Sequence, residues 1–313
     1  MTILGVLFMG LFFILLSGLF ISLSNFSMRR SIDAGGSTKG FFMIQSVFVF
    51  LILLFLHPVQ SGNYSWSHSM GAFGVFGGVI LTLLMISLGK SLQYGPPGLT
   101  FAALNASCVV PILFMLYFCG FDYGYVYDFW SGFGSILVLV GLFWAGWATK
   151  LGKNKTLWVG LVLTAFFTHV IFLLLMEWRA LFIGYPCAKG FLISFTPEDI
   201  DSQWFLPIVY GVVTLAQTAI FIRERRKPNS GEIKFGLFGG VLQGVGTFFL
   251  MRATEVAGPL ERAMLFPIYS VSIIIICNLW GKWVYQEKVN WLANGLCAIG
   301  ILVGTINWGS LFA

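Results

Sequence analysis

Two stretches of the chain have nearly the same sequence: Phe73–Ile80 reads FGVFGGVI, and Phe235–Leu242 reads FGLFGGVL. They lie 235 − 73 = 162 residues apart in a chain of 313 residues, which is about half of its length. Both stretches contain only glycine and apolar residues. One short match has little weight alone, but an ordered series of matches at the same spacing indicates an internal repeat.

Further matches follow the first one in the same order. A Gly-Pro pair comes after each stretch, at Gly95-Pro96 and at Gly258-Pro259, with a separation of 258 − 95 = 163 residues. Three later pairs are each separated by 161 residues: Gly120 with Gly281, Trp130 with Trp291, and Gly134 with Gly295. The series spans three apolar segments of each half and therefore predicts a duplication.

The composition indicates an integral membrane protein. Hydrophobic residues make up 58% of the chain and charged residues only 10%, and the mean hydropathy is +0.89. A soluble domain carries roughly a quarter charged residues, so this chain must be solvated by membrane lipids. The net charge of +6 fits basic loops on an anionic cytoplasmic surface, and no nucleic-acid partner is expected. We expect a multi-pass protein of the cell (inner) membrane.

Apolar runs of about 20 residues can span a bilayer as helices, and ten such segments can be placed. Those of the first half are Ile3–Ser24, Gly40–Leu56, Met70–Lys90, Leu99–Cys119 and Asp128–Ala148. Those of the second half are Thr156–Met176, Trp204–Ile222, Ile233–Arg252, Leu260–Val284 and Trp291–Phe312. The long connection Glu177–Gln203 is predicted as a loop that could hold an interfacial or re-entrant piece.

The repeat and the segment count together predict the architecture. Residues 1–150 would form the first five-helix repeat and residues 151–313 the second, in one compact membrane domain. Because five is odd, the second repeat must enter the membrane from the opposite side. The predicted fold class is therefore all-α, with ten transmembrane helices as two inverted five-helix repeats, an arrangement common among secondary transporters.

Glycines recur on one helix face in both matching stretches. Gly74 and Gly78 are four residues apart, and Gly236 and Gly240 repeat that spacing. Small residues at this spacing allow the backbones of two membrane helices to approach closely. We expect these faces to be packing seams, and a sliding contact between the halves is a compatible alternative.

Three stretches resemble a known family. They are YGPPGLTFAALNASCVVPILF (Tyr94–Phe114), AGPLERAMLFPIYSVSIIII (Ala257–Ile276) and WLANGLCAIGILVG (Trp291–Gly304). The chain resembles the drug/metabolite transporter (DMT) superfamily, in particular its EamA-type members. The resemblance implies ten helices in two repeats, secondary transport, and a cavity lined by helices four and nine.

The chain departs from this family at the ends of helices four and nine. Family members often have Leu-Gly-Glu there, whereas this chain has Cys119-Gly120-Phe121 and Trp280-Gly281-Lys282. The acid is missing from both places, so no role is carried over to these positions.

The distribution of basic residues predicts an orientation. Loops after the odd-numbered helices hold most of the lysines and arginines: Arg29, Arg30, Lys90, Lys150, Lys153, Lys155, Arg223, Arg225, Arg226, Lys227 and Lys288. The even-numbered loops hold mainly Arg179 and Lys189. Basic loops stay in the cytoplasm, which places both termini outside. The family resemblance implies termini inside, and we favour the charge bias.

Ionisable residues within an apolar chain are candidate binding groups, because their burial in lipid is costly. Arg252, Glu261 and Arg262 lie in the stretch MRATEVAGPLER, where Glu261 opens helix nine. They could bind a charged solute or a coupling proton. The alternative is a helix cap with a local ion pair at the interface.

Uncharged polar residues provide the other candidates for substrate binding. Asn105 and Ser107 lie in helix four and Tyr269 in helix nine, while His169 and Gln243 are mid-helix. The ordinary pKa of histidine, near 6.5, would suit proton coupling. Each of these side chains could instead hydrogen-bond one helix to another.

Missing motifs narrow the function. The chain has no P-loop, no HExxH and no GxSxG motif, and its five cysteines include no CxxC pair. We therefore expect no catalytic residue, metal or cofactor, and a secondary carrier in place of an ATP-driven pump or an enzyme. The candidate binding residues include both a carboxylate and guanidinium groups. This combination favours a zwitterionic or cationic solute, such as an amino acid or an S-adenosylmethionine-like compound.

Other interpretations remain open from the sequence. The solute could be a sugar or a nucleotide-sugar, the coupling partner a proton or a counter-solute, and the assembly a monomer or a homodimer. A membrane-embedded enzyme or lipid-handling protein could use acids near the interface, namely Glu177, Asp199 and Asp201 with Arg179. A structural or receptor-like subunit would not need the repeat.

Overall fold

The chain is a bundle of apolar helices. The computed structural model describes residues 9–95, 97–120, 128–146, 154–185, 193–262, 264–286 and 289–305, and no strand occurs in these ranges. Seven of the helices are long and apolar enough to cross a membrane, and three further apolar stretches of 10–17 residues accompany them. The protein is thus an all-helical, multi-pass membrane protein.

The helices of the first half are α1 (Met9–Asp33), α2 (Thr38–Leu54), α3 (His68–Tyr94), α4 (Pro97–Ala106), α5 (Val110–Cys119) and α6 (Phe129–Gly146). Those of the second half are α7 (Lys155–Gly184), α8 (Pro197–Asp201), α9 (Phe205–Ile222), α10 (Ser230–Val256), α11 (Pro259–Arg262), α12 (Leu265–Tyr285) and α13 (Trp291–Thr305). Several residues used in the sequence interpretation lie outside the described ranges: Ile3, Pro96, Phe121, Ala148, Lys150, Lys153, Cys187, Lys189, Lys288 and Phe312.

Two predicted helices are interrupted. The fourth changes to a 3₁₀ turn at Ser107–Val109, which ends two residues before Pro111 in α5. Proline lacks the N–H that an α-helix needs, and its ring crowds the preceding turn. The ninth is divided into α11 and α12, and Pro267 follows in the first turn of α12.

The predicted loop Glu177–Gln203 is wrong at its beginning, whereas its later part holds a short helical piece, which the prediction allowed. Helix α7 continues through Glu177 and Arg179 to Gly184, and Pro197–Asp201 form the short helix α8. The stretch LLLMEWRALFIG is rich in strong helix formers, so the helix ends only near Gly184. The prediction ended the helix too early because it treated the two charged residues as a boundary.

Successive long helices run in opposite directions, so their ends form two faces. At one face Arg226 donates to Ser37 Oγ (2.7 Å) and Tyr285 to Asp33 (2.5 Å). At the other face Ser67 donates to Asp199 (2.5 Å). We name the first face the basic end, after Arg29, Arg30, Lys39, Arg223, Arg225, Arg226 and Lys227. We name the second the acidic end, after Glu198, Asp199 and Asp201.

The helices form two groups that each combine both halves of the chain. In the first group α10 packs on α1 and α2, and α12 packs on α1. In the second, α3 packs on α7 and α9, and α4 and α5 pack on α7. The two groups meet where α2 touches α9, and the pair α6–α13 lies beside them.

The two groups share one kind of glycine contact. A methyl group on Gly74 would lie 3.0 Å from Ile208 Cβ, and one on Gly236 would lie 2.7 Å from Ile44 Cβ. The glycines are 236 − 74 = 162 residues apart and their partners 208 − 44 = 164 residues apart, so one contact is the counterpart of the other. The next turn repeats this relation: Gly78 with Val212, and Gly240 with Phe48. The matching FGxFGG stretches are therefore reciprocal packing seams.

The packing seam between α10 and α2 predicts that Gly240→Ala lowers the stability of the protein. The added methyl would lie 2.6 Å from Phe48 Cβ and 2.7 Å from the Gln45 carbonyl oxygen, so the helices must move apart. Such overpacking costs about 1–3 kcal/mol, which exceeds the ~1 kcal/mol helix-propensity gain of alanine over glycine. We expect a lower melting temperature for the purified variant in detergent.

Gly160→Ala is the matched control, because no atom lies within 4 Å of its added methyl. This variant should melt at the wild-type temperature or above it. Equal melting temperatures for the Gly160 and Gly240 variants would contradict the seam.

Candidate functional site

A cavity of about 160 Å³ lies between the two helix groups. Its wall includes residues of α1, α2, α10 and α12 from the first group and of α3, α4, α7 and α9 from the second. The polar side chains in this wall are Asn25, Gln45, Ser46, Asn105, His169, Tyr210, Gln243 and Tyr269. The described wall contains no Asp, Glu, Lys or Arg.

The cavity extends from the middle of the bundle toward the basic end. Its α3 residues run from Leu81, at the middle of that helix, to Leu88, and its α2 residues run from Phe41 to Val49. The half nearer the acidic end is filled by large side chains with less than 2% exposure: Leu53, Met70, Met115, Leu173, Trp178, Phe182, Phe205 and Phe266. Between the cavity and the acidic end the bundle is thus closely packed.

Four of the predicted binding residues line this one cavity: Asn105, His169, Gln243 and Tyr269. Ser107 is not in the described wall, but its hydroxyl contacts His169 Nδ1 at 2.6 Å. The structure thus brings together the uncharged candidates, which are far apart in the sequence.

The amide groups of Asn105 and Gln45 are held in fixed orientations. Asn105 Nδ2 donates to the Phe101 carbonyl (2.8 Å), and a carbonyl oxygen only accepts. Gln45 Nε2 donates to Ser24 Oγ (2.9 Å), whose own proton goes to the Gly239 carbonyl (2.8 Å). In both side chains the protein uses one of the two amide N–H groups, so the carbonyl oxygen and the second N–H are left for a ligand.

The tautomer of neutral His169 follows from the same reasoning. Ser107 Oγ donates its single proton to the Leu104 carbonyl (2.5 Å), so it can only accept from His169 Nδ1. Nδ1 also lies 3.2 Å from the Leu104 carbonyl oxygen, which is an acceptor as well. Nδ1 must therefore carry the proton of the neutral ring, and Nε2 holds a lone pair. His169 is a third hydrogen-bond acceptor of the cavity wall.

Two tyrosines complete the polar wall. The Tyr210 hydroxyl contacts Thr247 Oγ1 at 3.3 Å and is hydrogen-bonded to Gln243. The Tyr269 hydroxyl has no hydrogen-bond partner among the described residues, although the side chain is only 7% exposed. It is therefore available to a ligand as a donor or an acceptor.

Glu261 and Arg262 do not belong to the described cavity wall. Glu261 accepts from the backbone N–H groups of Leu11 (3.2 Å) and Gly258 (2.8 Å), which fastens the start of α11 to α1. Arg262 Nε donates to the Ala257 carbonyl at 3.2 Å. These positions match the helix-cap alternative, because both side chains bind backbone groups at the acidic end.

Arg252 also lies away from the cavity, in an ion cluster that holds α7 to α10. Arg179 Nη1 and Arg252 Nη1 each lie 2.5 Å from a different oxygen of Glu255. The Arg179 and Glu255 side chains are 3% and 8% exposed, whereas Arg252 is 46% exposed. The cluster borders a second recess, of about 430 Å³, at the acidic end.

The other acids near the acidic end have structural contacts as well. Asp199 and Thr196 form a capping box at the start of α8. The Asp199 carboxylate accepts from the backbone N–H of Thr196 (3.0 Å), and Thr196 Oγ1 accepts from the backbone N–H of Asp199. Burial raises the pKa of this carboxyl, but hydrogen bonds from Ser67 and Thr196 outweigh that effect and lower it. Asp201 accepts from Asn63 Nδ2 at 2.9 Å. No group of three His, Cys, Asp or Glu suited to a metal occurs in the part of the chain that is described.

Gln45, Tyr210 and Asn25 are absent from the predicted binding set, although they line the cavity. Gln45 is an amide within the otherwise apolar segment Gly40–Leu56, a pattern that predicts either substrate binding or a contact between helices, although Gln45 is not among the selected residues. Tyr210 had none, because tyrosines at helix ends usually form the interfacial belt. His57 was also missed; it is 4% exposed beside the ion cluster and contacts Gln203 Oε1 at 3.4 Å.

Removal of the charge of Glu255 is expected to destabilise the protein. Glu255→Gln leaves the buried Arg179 without its carboxylate, and breaking a buried pair costs about 3–5 kcal/mol. The melting temperature of the purified protein should fall clearly. Glu198→Gln, at an exposed position of the same end, should leave it unchanged. Equal melting temperatures would show that the cluster does not hold α7 to α10.

No protein-family model and no curated protein matches the chain. The chain is similar in structure to a solved protein described only as "Crystal structure of protein". The two share 12% sequence identity and a TM-score of 0.63, and the match covers 97% of this chain and 96% of the other. At this identity the similarity shows a shared fold alone.

Proposed function

We propose that the chain is a secondary transporter that moves a small organic metabolite across a membrane by alternating access. One observation carries the proposal: a polar-lined cavity lies between two helix groups and extends from the middle of the bundle toward the basic end, while large buried side chains fill the half nearer the acidic end. A carrier in one of its two end states has this form.

The proposal includes ten spans in two inverted repeats, as in the drug/metabolite transporter superfamily. Three short apolar stretches would add to the seven long spans: Ala103–Cys119, Phe129–Trp144 and Trp291–Gly304. The reciprocal contacts of Gly74 with Ile208 and of Gly236 with Ile44 support this arrangement. A two-fold relation requires each such contact to occur twice.

In the proposed transport cycle the two helix groups tilt against each other. The groups meet where α2 packs on α9. On the proposed two-fold axis, α6 packs closely on α13, and Gly134 faces Gly300 there. Contacts between small residues permit close approach without interlocking side chains. Opening of the acidic end would require the aromatic residues around Phe205 and Phe182 to separate.

The basic end would face the cytoplasm, because lysines and arginines are concentrated there. The cavity of this structure is then nearer to the cytoplasm, and residence in the cell membrane is part of the proposal. The charged residues that favoured a zwitterionic or cationic solute lie outside the cavity wall, so the proposal does not require a charged solute. The gradient of a proton or of a counter-solute would drive the transport.

A bulky residue inside the cavity should block exchange. For any solute that stabilises the purified protein in a thermal-shift screen, we expect saturable counterflow in proteoliposomes. Leu88→Trp, on the α3 side of the wall, should abolish this counterflow, because the added ring fills the small cavity. The measurement is uptake of labelled solute into vesicles preloaded with the unlabelled compound.

Leu83→Trp is the control on the same helix, since Leu83 is 44% exposed on the outside of the bundle. It should retain counterflow at the wild-type rate. A stabilising solute that is never exchanged, or equal exchange by both tryptophan variants, would contradict transport through this cavity.

A further inference from the structure

The cavity wall combines acceptor groups with an absence of charge. Asn105 and Gln45 each direct one of their two amide N–H groups to the protein, and Nδ1 of neutral His169 also donates to the protein. Two amide oxygens and one ring nitrogen remain to accept hydrogen bonds, and each amide keeps a second N–H. In contrast, the described wall contains no carboxylate, ammonium or guanidinium group.

Two largely buried carboxylates of α10, Glu232 and Glu255, are paired with arginines outside the cavity wall. Glu232, at the start of α10, accepts from Arg226 Nη1 (2.9 Å) and Nη2 (2.6 Å) and from the backbone N–H of Ser37 (2.7 Å) and Asn229 (2.8 Å). At the acidic end, Glu255 is shared by Arg179 and Arg252. None of these charges lies in the described cavity wall.

An ion in this cavity would lose its hydration without gaining a counter-charge, which is strongly unfavourable. A neutral molecule with N–H or O–H groups would satisfy the waiting acceptors at much lower cost. The wall also offers rings, among them Phe41, Phe101 and Tyr269, against which an apolar face can pack. Its volume, about 160 Å³, is below the roughly 300 Å³ at which drug-sized sites begin.

We propose that this cavity binds an uncharged solute, about the size of one small ring, that donates hydrogen bonds to Asn105, Gln45 and His169 and packs an apolar face on the aromatic wall. This assignment rests on the proposed function, because it names the substrate class of the same site. In this assignment, the hydrogen-bond donors of the solute are the main determinants of recognition.

Three probes of one shape separate charge from size. Benzamide is neutral and donates from its amide, benzamidinium is a cation and benzoate an anion, and all have the same number of non-hydrogen atoms. Binding to the purified full chain is measured by thermal shift and by calorimetry. We expect benzamide to stabilise the protein and to bind at least tenfold tighter than either ion.

A charge placed in the wall should reverse this preference. Asn105→Asp replaces an amide by a carboxylate of the same shape, so the affinity for benzamidinium relative to that for benzamide should rise by more than tenfold. Asn278→Asp is the control: Asn278 is bonded to Asn294 (3.0 Å) outside the described wall and should change neither affinity. Tyr269→Phe removes a hydroxyl without disturbing an internal bond and should weaken benzamide binding several-fold.

Binding and exchange are scored separately. Benzamide that binds but is not exchanged in proteoliposomes would refute transport and leave the assigned solute class standing. The inference is overturned if benzamidinium or benzoate binds wild-type protein as tightly as benzamide, or if none of the three binds. It is also overturned if a well-folded Asn105→Asp variant keeps the wild-type order of affinities.

Discussion

Close approach of helix backbones at glycine is the constraint on which the rest of the structure depends. In lipid, apolar side chains gain little by leaving one apolar surface for another, so helices associate through tight packing. Gly236 and Gly240 let α10 lie directly on α2, and Gly74 and Gly78 let α3 lie directly on α9. These two contacts hold together the two helix groups, each of which contains helices from both halves of the chain. The cavity is the space between the two groups.

The same packing separates charge from the site. Charged side chains inside lipid are costly unless they are paired, and here they lie at the helix ends. Arg179 pairs with Glu255 at one end and Arg226 pairs with Glu232 at the other. The described wall of the cavity has amides, a hydroxyl, phenols and an imidazole but no charged side chain, so the proposed recognition depends on hydrogen bonds and shape.

Much of the bundle could be predicted from the sequence, because FGxFGG and the apolar runs are local signals. Asn105, His169 and Tyr269 could be selected as polar residues in apolar helices. Their shared cavity could not, because it depends on how α4, α7 and α12 pack together. The continuation of α7 was missed because Arg179 finds its partner 76 residues away, at Glu255. The tautomer of His169 likewise depends on Ser107, which is 62 residues away.

Access to the cavity from both faces tests alternating access most directly. Asn25 lines the cavity, so a cysteine placed there in a cysteine-free background reports which end is open. In sealed vesicles of known orientation, an impermeant maleimide should label it from the basic end without solute. During solute exchange, labelling from the acidic end should appear at a rate that follows the exchange. Exchange without any labelling from the acidic end would contradict transport through this cavity.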